Sequence, residues 1–259
     1  MEVGRSTTRM MLPALVQRTT MKLVRPSLPA ASAPPPPIGP APRSFWCTPD
    51  PRLVILCDPD SERASGFRVL RDGLLAKGLP RVLAVSSACP GDGKTTCATN
   101  LALALAEQTR ERLLLVDANF FAPSLASMFS IDEYATSGQG GLQAQPWSAP
   151  FKLTSLGPRL DLATIVLSRG APLPRIDHES LVRLLGAFFF AGYQRIILDA
   201  PALEGSPAVR RLLDVADGVL LAVRAGHTTE RALRRAAEQI GPRKMMGAAL
   251  MDSRLDSER

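Results

Sequence analysis

The sequence predicts an α/β fold, a mostly parallel sheet with helices on both faces. Three observations lead there. Short apolar runs without polar alternation (RVLAVSS at 81–87, RLLLV at 112–116, RIIL at 195–198) recur between segments of helical periodicity. A glycine-rich turn joins the first run to an alanine-rich helix. Two of the runs end on an aspartate, Asp117 and Asp199, and folds of this class bind ligands at the carboxyl ends of their strands.

The elements follow in order. Residues 45–57 (FWCTPDPRLVILC) read as a short apolar strand or edge element. Asp58-Pro59-Asp60-Ser61 can cap a helix over 61–76, with Phe67, Leu70, Leu74 and Leu75 on its apolar face and Arg63, Arg68 and Arg71 pointing elsewhere. Gly78 and Pro80 stop it. Strand 81–87 and helix 94–107 flank the glycine turn, and strand 112–116 and a short helix over 123–129 come next. Residues 131–160 are rich in Gly, Ser, Gln and Pro and lack periodicity, which predicts a loop region. Strands at 160–167, 195–198, 218–223 and 245–250 then interleave with helices at 178–191, 206–215 and 228–240. The 259 residues suffice for one sizeable domain plus a tail.

Residues 1–43 differ from the rest. They hold nine of the 23 prolines, with Pro34–Pro37 in a run, and six basic residues against Glu2, so +5 of the net +7 lies there. This composition predicts a disordered, Pro-rich basic tail, with one folded domain over 44–259 that carries the glycine-rich turn. Three readings of the tail stand side by side: a solvated leader or misassigned start (Met10, Met11 and Met21 being alternatives), an attraction to an anionic surface, and a proline-recognition ligand. Arg18, Lys22 and Arg25 interrupt any apolar core a secretory signal would need. The remaining +2 over residues 44–259 does not suit a nucleic-acid binder. Four cysteines without a CxxC pair exclude a disulfide scaffold, and the apolar stretch 184–193 is too short to span a bilayer.

The sharpest signal is Ala88-Cys89-Pro90-Gly91-Asp92-Gly93-Lys94-Thr95, which approximates the phosphate-binding pattern GxxxxGK[ST] between a strand and a helix. Gly91 and Gly93 let the backbone wrap a phosphate, and the helix amino-terminus favours an anion. The expected nucleotide contacts are Pro90, Gly91, Asp92, Gly93, Lys94, Thr95 and Thr96. Lys94 should reach the β- and γ-phosphates and Thr95 should ligate Mg²⁺. Asp199, ending RIIL, can hold a Mg²⁺-bound water, and Asp117 points at the same end of the sheet. Lys94, Asp117 and Asp199 are therefore the candidate catalytic residues, and Thr95, Asp117 and Asp199 the candidate metal site, with ATP and Mg²⁺ as cofactors.

The chain resembles the bacterial tyrosine kinases of capsule and exopolysaccharide synthesis, within the MinD and ParA-like P-loop ATPases. The resemblance runs from about Ser65 to Asp252, carried by GFRVLRDGL at 66–74, SSACPGDGKTTCATNLALALA at 86–106, LLLVDANFFAPSLASMF at 113–129, YQRIILDAPAL at 193–203 and VRAGHTT at 223–229. It implies a P-loop fold, with Asp117 as the Walker A′ and Asp199 as the Walker B aspartate. It also implies a cytoplasmic protein held at the inner membrane by a polysaccharide chain-length regulator whose cytoplasmic part activates it, and assembly into homo-oligomers. Several positions depart from the family. Asn119 replaces the second Walker A′ acid, and Phe121 and Ala122 stand where arginines are usual. Ser65 precedes Arg68 and Arg71 where the oligomerisation pattern has an acid. Met251 stands where an asparagine commonly reads the base, and Ala202 follows Pro201 in place of a second proline. The sequence holds two tyrosines, Tyr134 and Tyr193, and its last segment has none, so autophosphorylation of a tyrosine tail is not expected. Three functions fit: a nucleotide-dependent ATPase or kinase of this machinery, a catalytically silent scaffold of it, and a MinD/ParA-like positioning ATPase. Against the last, Ala88 and Cys89 occupy the place of that branch's early lysine, and no amphipathic C-terminal membrane helix is seen.

Weaker signals complete the reading. His178 and His227 are expected at helix starts. Cys89, near a helix amino-terminus, reads either as a small loop residue or as a thiol of lowered pKa open to oxidation. Phe188–Phe190 belong to core or interface, and Arg234 and Arg235 to a solvated helix face.

Overall fold

A computed structural model describes residues 50–131, 151–165, 177–204 and 207–251. The expected disordered tail, Tyr134 and most of the expected loop region lie outside the described residues.

Seven strands form one sheet: β1 (Val82–Ser87), β2 (Leu113–Asp117), β3 (Phe151–Ser155), β4 (Leu160–Ile165), β5 (Arg195–Asp199), β6 (Gly218–Arg224) and β7 (Met245–Met251). Their spatial order is β3-β4-β2-β5-β1-β6-β7. All neighbours are parallel except β3, which pairs antiparallel with β4. The α/β P-loop fold predicted from sequence is what the chain adopts.

The strands are apolar on both sides because both sides are covered. Leu113 and Leu115 of β2 face one layer and Leu114 and Val116 the other. The first layer contains α1 (Val54–Cys57), α2 (Glu62–Ala76) and α3 (Lys94–Gln108). The second contains α5 (His178–Phe190), α6 (Pro207–Val215) and α7 (Glu230–Ile240). A single turn, α4 (Leu125–Met128), follows β2. Helix α3 is buried continuously from Cys97 to Leu105. A buried leucine there, such as Leu101, contributes about 1.5–3 kcal/mol by leaving water.

The helix starts follow their caps. Side chains of Ser61, Asp177 and Thr229 accept the amides of Ala64, Ser180 and Ala232, opening α2, α5 and α7. His178 is therefore the exposed first residue of α5, and Asp177 is its cap.

Three expectations are corrected. The described part of segment 45–57 is a helical turn and not a strand. Leu53 N–H donates to Asp50 O (2.8 Å), and Asn100 of α3 accepts from Ile55 N and donates to Arg52 O, drawing the turn onto α3. Phe151–Ser155, inside the expected loop region, is a strand. Gly157 and Pro158 turn the chain back onto β4, with Leu156 N–H donating to Leu160 O (2.8 Å). Arg71 does not point to solvent. It is 3% exposed, and its guanidinium donates to Ala104 O (3.1 Å), Glu107 (3.2 Å) and Asp72 (2.8 Å).

The run of three phenylalanines divides. Phe188 is core, Phe189 stacks under the Arg81 guanidinium (4.2 Å to the ring centroid), and Phe190 is exposed. Arg234 is solvated and pairs with Glu230 one turn away. Among the described residues, no helix is long and apolar enough to cross a membrane.

Candidate nucleotide and metal site

The sheet order places β1 between β5 and β6, and β2 beyond β5, so the chain leaves β1 where strands diverge to the two sides. A crevice outside the carboxyl ends of the strands results, and ligands bind there in folds of this kind. The loop after β1 occupies it. Gly91 and Gly93 both sit at φ +87°, a left-handed backbone that side chains resist. Gly93 is the N-cap of α3, so the first amides of the helix, through Lys94, Thr95 and Thr96, have no helical partner by geometry. The loop is braced from within. Cys89 N–H donates to Asp92 Oδ2 (2.9 Å), and Ser87 Oγ donates to Cys89 O (2.7 Å).

Asp117 and Asp199 lie side by side because β2 and β5 pair them in register. Both are fully buried. They do different things. Asp117 Oδ2 accepts the amides of Ser124 (2.8 Å) and Leu125 (2.9 Å), and Oδ1 accepts Asn119 N–H (3.3 Å), so Asp117 holds the loop that leads into α4. Asp199 Oδ2 accepts from Thr95 Oγ1 (2.8 Å), while its Oδ1 is buried without a hydrogen-bond partner. Burial, with Asp117 adding to it, pushes the Asp199 carboxyl up to about 7, against the pull of Thr95 and Lys94.

This is the arrangement a hard dication fits. An orphaned carboxylate oxygen stands beside a threonine hydroxyl at the mouth of a phosphate loop, and the second acid is adjacent. Among the described residues no three His, Cys, Asp or Glu side chains gather as a metal cluster. Mg²⁺ takes one or two protein ligands and completes its shell with phosphate oxygens and water, so a threonine hydroxyl and one carboxylate oxygen suffice for it.

The loop 118–124 borders the site. Asn119 Nδ2 donates to Ala122 O (2.8 Å), so the residue that replaces the second acid serves its own turn. Phe120 is core, whereas Phe121 is 61% exposed. Ser124 Oγ lies 3.4 Å from Thr95 Oγ1. The Cys89 thiol is pushed up, not down, by burial first and then by the carboxylate of Glu204, which makes the oxidation reading the weaker one.

The sequence reading counted Asp92 among the nucleotide contacts but left Arg224, His227 and Thr228 out of the site. Asp92 is fully buried and bridges the loop to the segment after β6: its Oδ2 accepts Cys89 N–H, and His227 Nδ1 (2.8 Å) and Thr228 Oγ1 (2.7 Å) reach its Oδ1. Arg224 NH1 approaches Gly91 O (3.5 Å). The clue in the sequence was VRAGHTT at 223–229, whose threonines also mark a helix start.

The family described as ParA, NUBPL iron-transfer P-loop NTPase, matches residues 78–204, from the approach to β1 through the turn after β5. The chain is 26% identical over 213 residues to tyrosine-protein kinase YwqD of Bacillus subtilis, covering 78% of this chain and 86% of that one. It is 27% identical over 188 residues to the succinoglycan biosynthesis transport protein ExoP of Rhizobium meliloti. The chain is thus similar, at 26–27% identity, to proteins of bacterial tyrosine-kinase and exopolysaccharide systems, and over residues 78–204 to the ParA-type P-loop NTPases. The ExoP match takes in 70% of this chain but 23% of that protein's length. The fold agrees with the kinase domain of the Escherichia coli tyrosine kinase ETK, with TM-score 0.61, 21% identity, and 78% of this chain and 81% of that one covered.

Proposed function

We propose that this bacterial tyrosine kinase homologue binds ATP with Mg²⁺ and acts as a nucleotide-dependent regulator in capsule or exopolysaccharide synthesis. Its partner in this reading is the cytoplasmic part of an inner-membrane chain-length regulator, which holds it at the membrane. The observation that carries the reading is the pair Thr95–Asp199 with the orphaned Asp199 Oδ1, set at the mouth of the phosphate loop. The relatives supply the setting: one is a tyrosine-protein kinase and the other a succinoglycan transport protein.

The residues divide the work. The loop from Pro90 to Gly93 and the first amides of α3, through Thr96, cradle the phosphates, and Lys94 places its ammonium against them. Thr95 and Asp199 hold Mg²⁺, with Asp117 behind them fixing the loop to α4. Bound Mg²⁺ neutralises charge on the phosphate oxygens. Asn119 cannot take a proton from an attacking hydroxyl. Tyr193 is 4% exposed with its hydroxyl donated to Asp161 (2.8 Å), so it is no phosphate acceptor in the folded chain. These two observations favour signalling by nucleotide occupancy over phosphorylation of Tyr193.

Calorimetric titration with ATP, with and without Mg²⁺, tests this. Mg²⁺-dependent binding is expected, weakened at least about tenfold in Lys94→Ala through loss of charge-assisted phosphate contacts. A folded wild-type protein that binds no ATP under either condition overturns the proposal.

A further inference from the structure

We propose that His227 is a nucleotide-contacting residue of this site, oriented by Asp92, and that it takes up a proton when the nucleotide binds. This rests on the nucleotide reading above and adds to it a residue and a proton.

The argument starts from Asp92. Its carboxylate is fully buried and faces three groups: Cys89 N–H at 2.9 Å, Thr228 Oγ1 at 2.7 Å and His227 Nδ1 at 2.8 Å. An ionised carboxylate only accepts hydrogen bonds, so His227 must donate from Nδ1. That fixes the tautomer. In the neutral ring Nε2 carries the lone pair, and in the charged ring it becomes a donor. The ring lies against the phosphate loop: a Cβ built on Gly91 would stand 3.7 Å from His227 Cε1 and 3.9 Å from Nε2. The His227 side chain is nonetheless 46% exposed. One nitrogen is thus clamped by a buried acid, and the other edge of the ring sits on the loop's rim.

Among the described residues, the charged groups facing the ring are Asp92 of the loop and, at the rim, Arg224 at the end of β6, whose guanidinium reaches Gly91 O. Met251, at the end of β7, packs uncharged against Gly93. Glu230, opening α7, is engaged by Arg234. A brace alone would not need an ionisable ring, because Thr228 already ties Asp92 to the segment after β6, its Oγ1 in turn accepting Arg224 N–H (2.9 Å). A polyanion at the rim gains a donor from Nε2 only when the ring is charged, so binding and protonation favour each other.

The chain's two histidines make the test direct, since NMR of the full chain follows the imidazoles of His178 and His227 separately. His227→Asn assigns the signal while its amide still reaches Asp92. Saturating ATP–Mg²⁺ is expected to raise the His227 titration midpoint by about one pH unit, as for a histidine gaining an anionic neighbour, and to leave His178 in place. Correspondingly, wild-type affinity relative to His227→Asn should tighten several-fold, up to about tenfold, from pH 8 to pH 5.5. A His227 midpoint unmoved by bound nucleotide overturns the proposal, as does an affinity ratio between the two proteins that is flat with pH. Those outcomes leave nucleotide binding intact. Absence of binding in both proteins at every pH overturns the underlying reading as well.

Discussion

Asp117 and Asp199 are neighbours in register, equally buried, and chemically unlike. Backbone amides surround Asp117. Asp199 has one threonine hydroxyl and one orphaned oxygen. Its carboxyl stands at about 7 against an ordinary 3.8. Between those values the folded protein holds a proton that the unfolded chain has released. The contribution to stability is therefore full below the unfolded value and is lost as pH rises through about 7. Asp199→Asn keeps an acceptor for Thr95 and cannot ionise. In metal-free buffer, the urea-derived unfolding free energy of this variant relative to wild type should rise from about pH 5 to pH 8, by a few kcal/mol at most. A pH-independent difference would show that Asp199 stays ionised throughout.

Elements show which features a sequence exposes. Caps are local, so Ser61, Asp177 and Thr229 sit within three residues of the amides they accept, and a linear reading locates the helix starts well. The glycine loop and both strand-end acids are equally visible, because GxxxxGK[ST] and an apolar run ending in Asp are contiguous. What stayed hidden needs distant partners. Arg71 looks like a surface residue until Ala104 and Glu107 of α3 meet it. Asp92 and His227 are 135 positions apart. Strand β3 is five residues at a sheet edge, too short to announce a period. Arg68 and Arg71, the arginines of the family's oligomerisation pattern, are both engaged within the chain by Glu107. Glu107→Ala leaves the buried Arg71 short of an anion and should cost about 1–3 kcal/mol in urea unfolding, the range being lowered by the partial exposure of Glu107. Asp72→Ala, removing a carboxylate that is 59% exposed, should cost less.

At the scale of the molecule the two ends of the sheet are given to different tasks. The carboxyl ends carry the loop, the acids and His227. The amino ends carry a structural knot: Tyr193 OH and Arg112 NH2 both donate to Asp161 (2.8 and 3.1 Å), and the Arg112 guanidinium lies 4.6 Å from the Tyr193 ring centroid. Tyr193→Phe should lower stability by about 1–2 kcal/mol in urea unfolding while leaving ATP affinity unchanged, because the lost hydroxyl lies at the opposite strand ends from the glycine loop. Helix α3 runs from the glycine loop to the α2 arginines. Its first residues are Lys94 and Thr95, and Glu107 stands at its far end. Fifteen residues make a rod about 22 Å long. It has no hinge glycine or proline along its length. A rod without a joint passes an axial shift along its whole length, so a movement at its first turn would be felt at the α2 arginines that Glu107 holds.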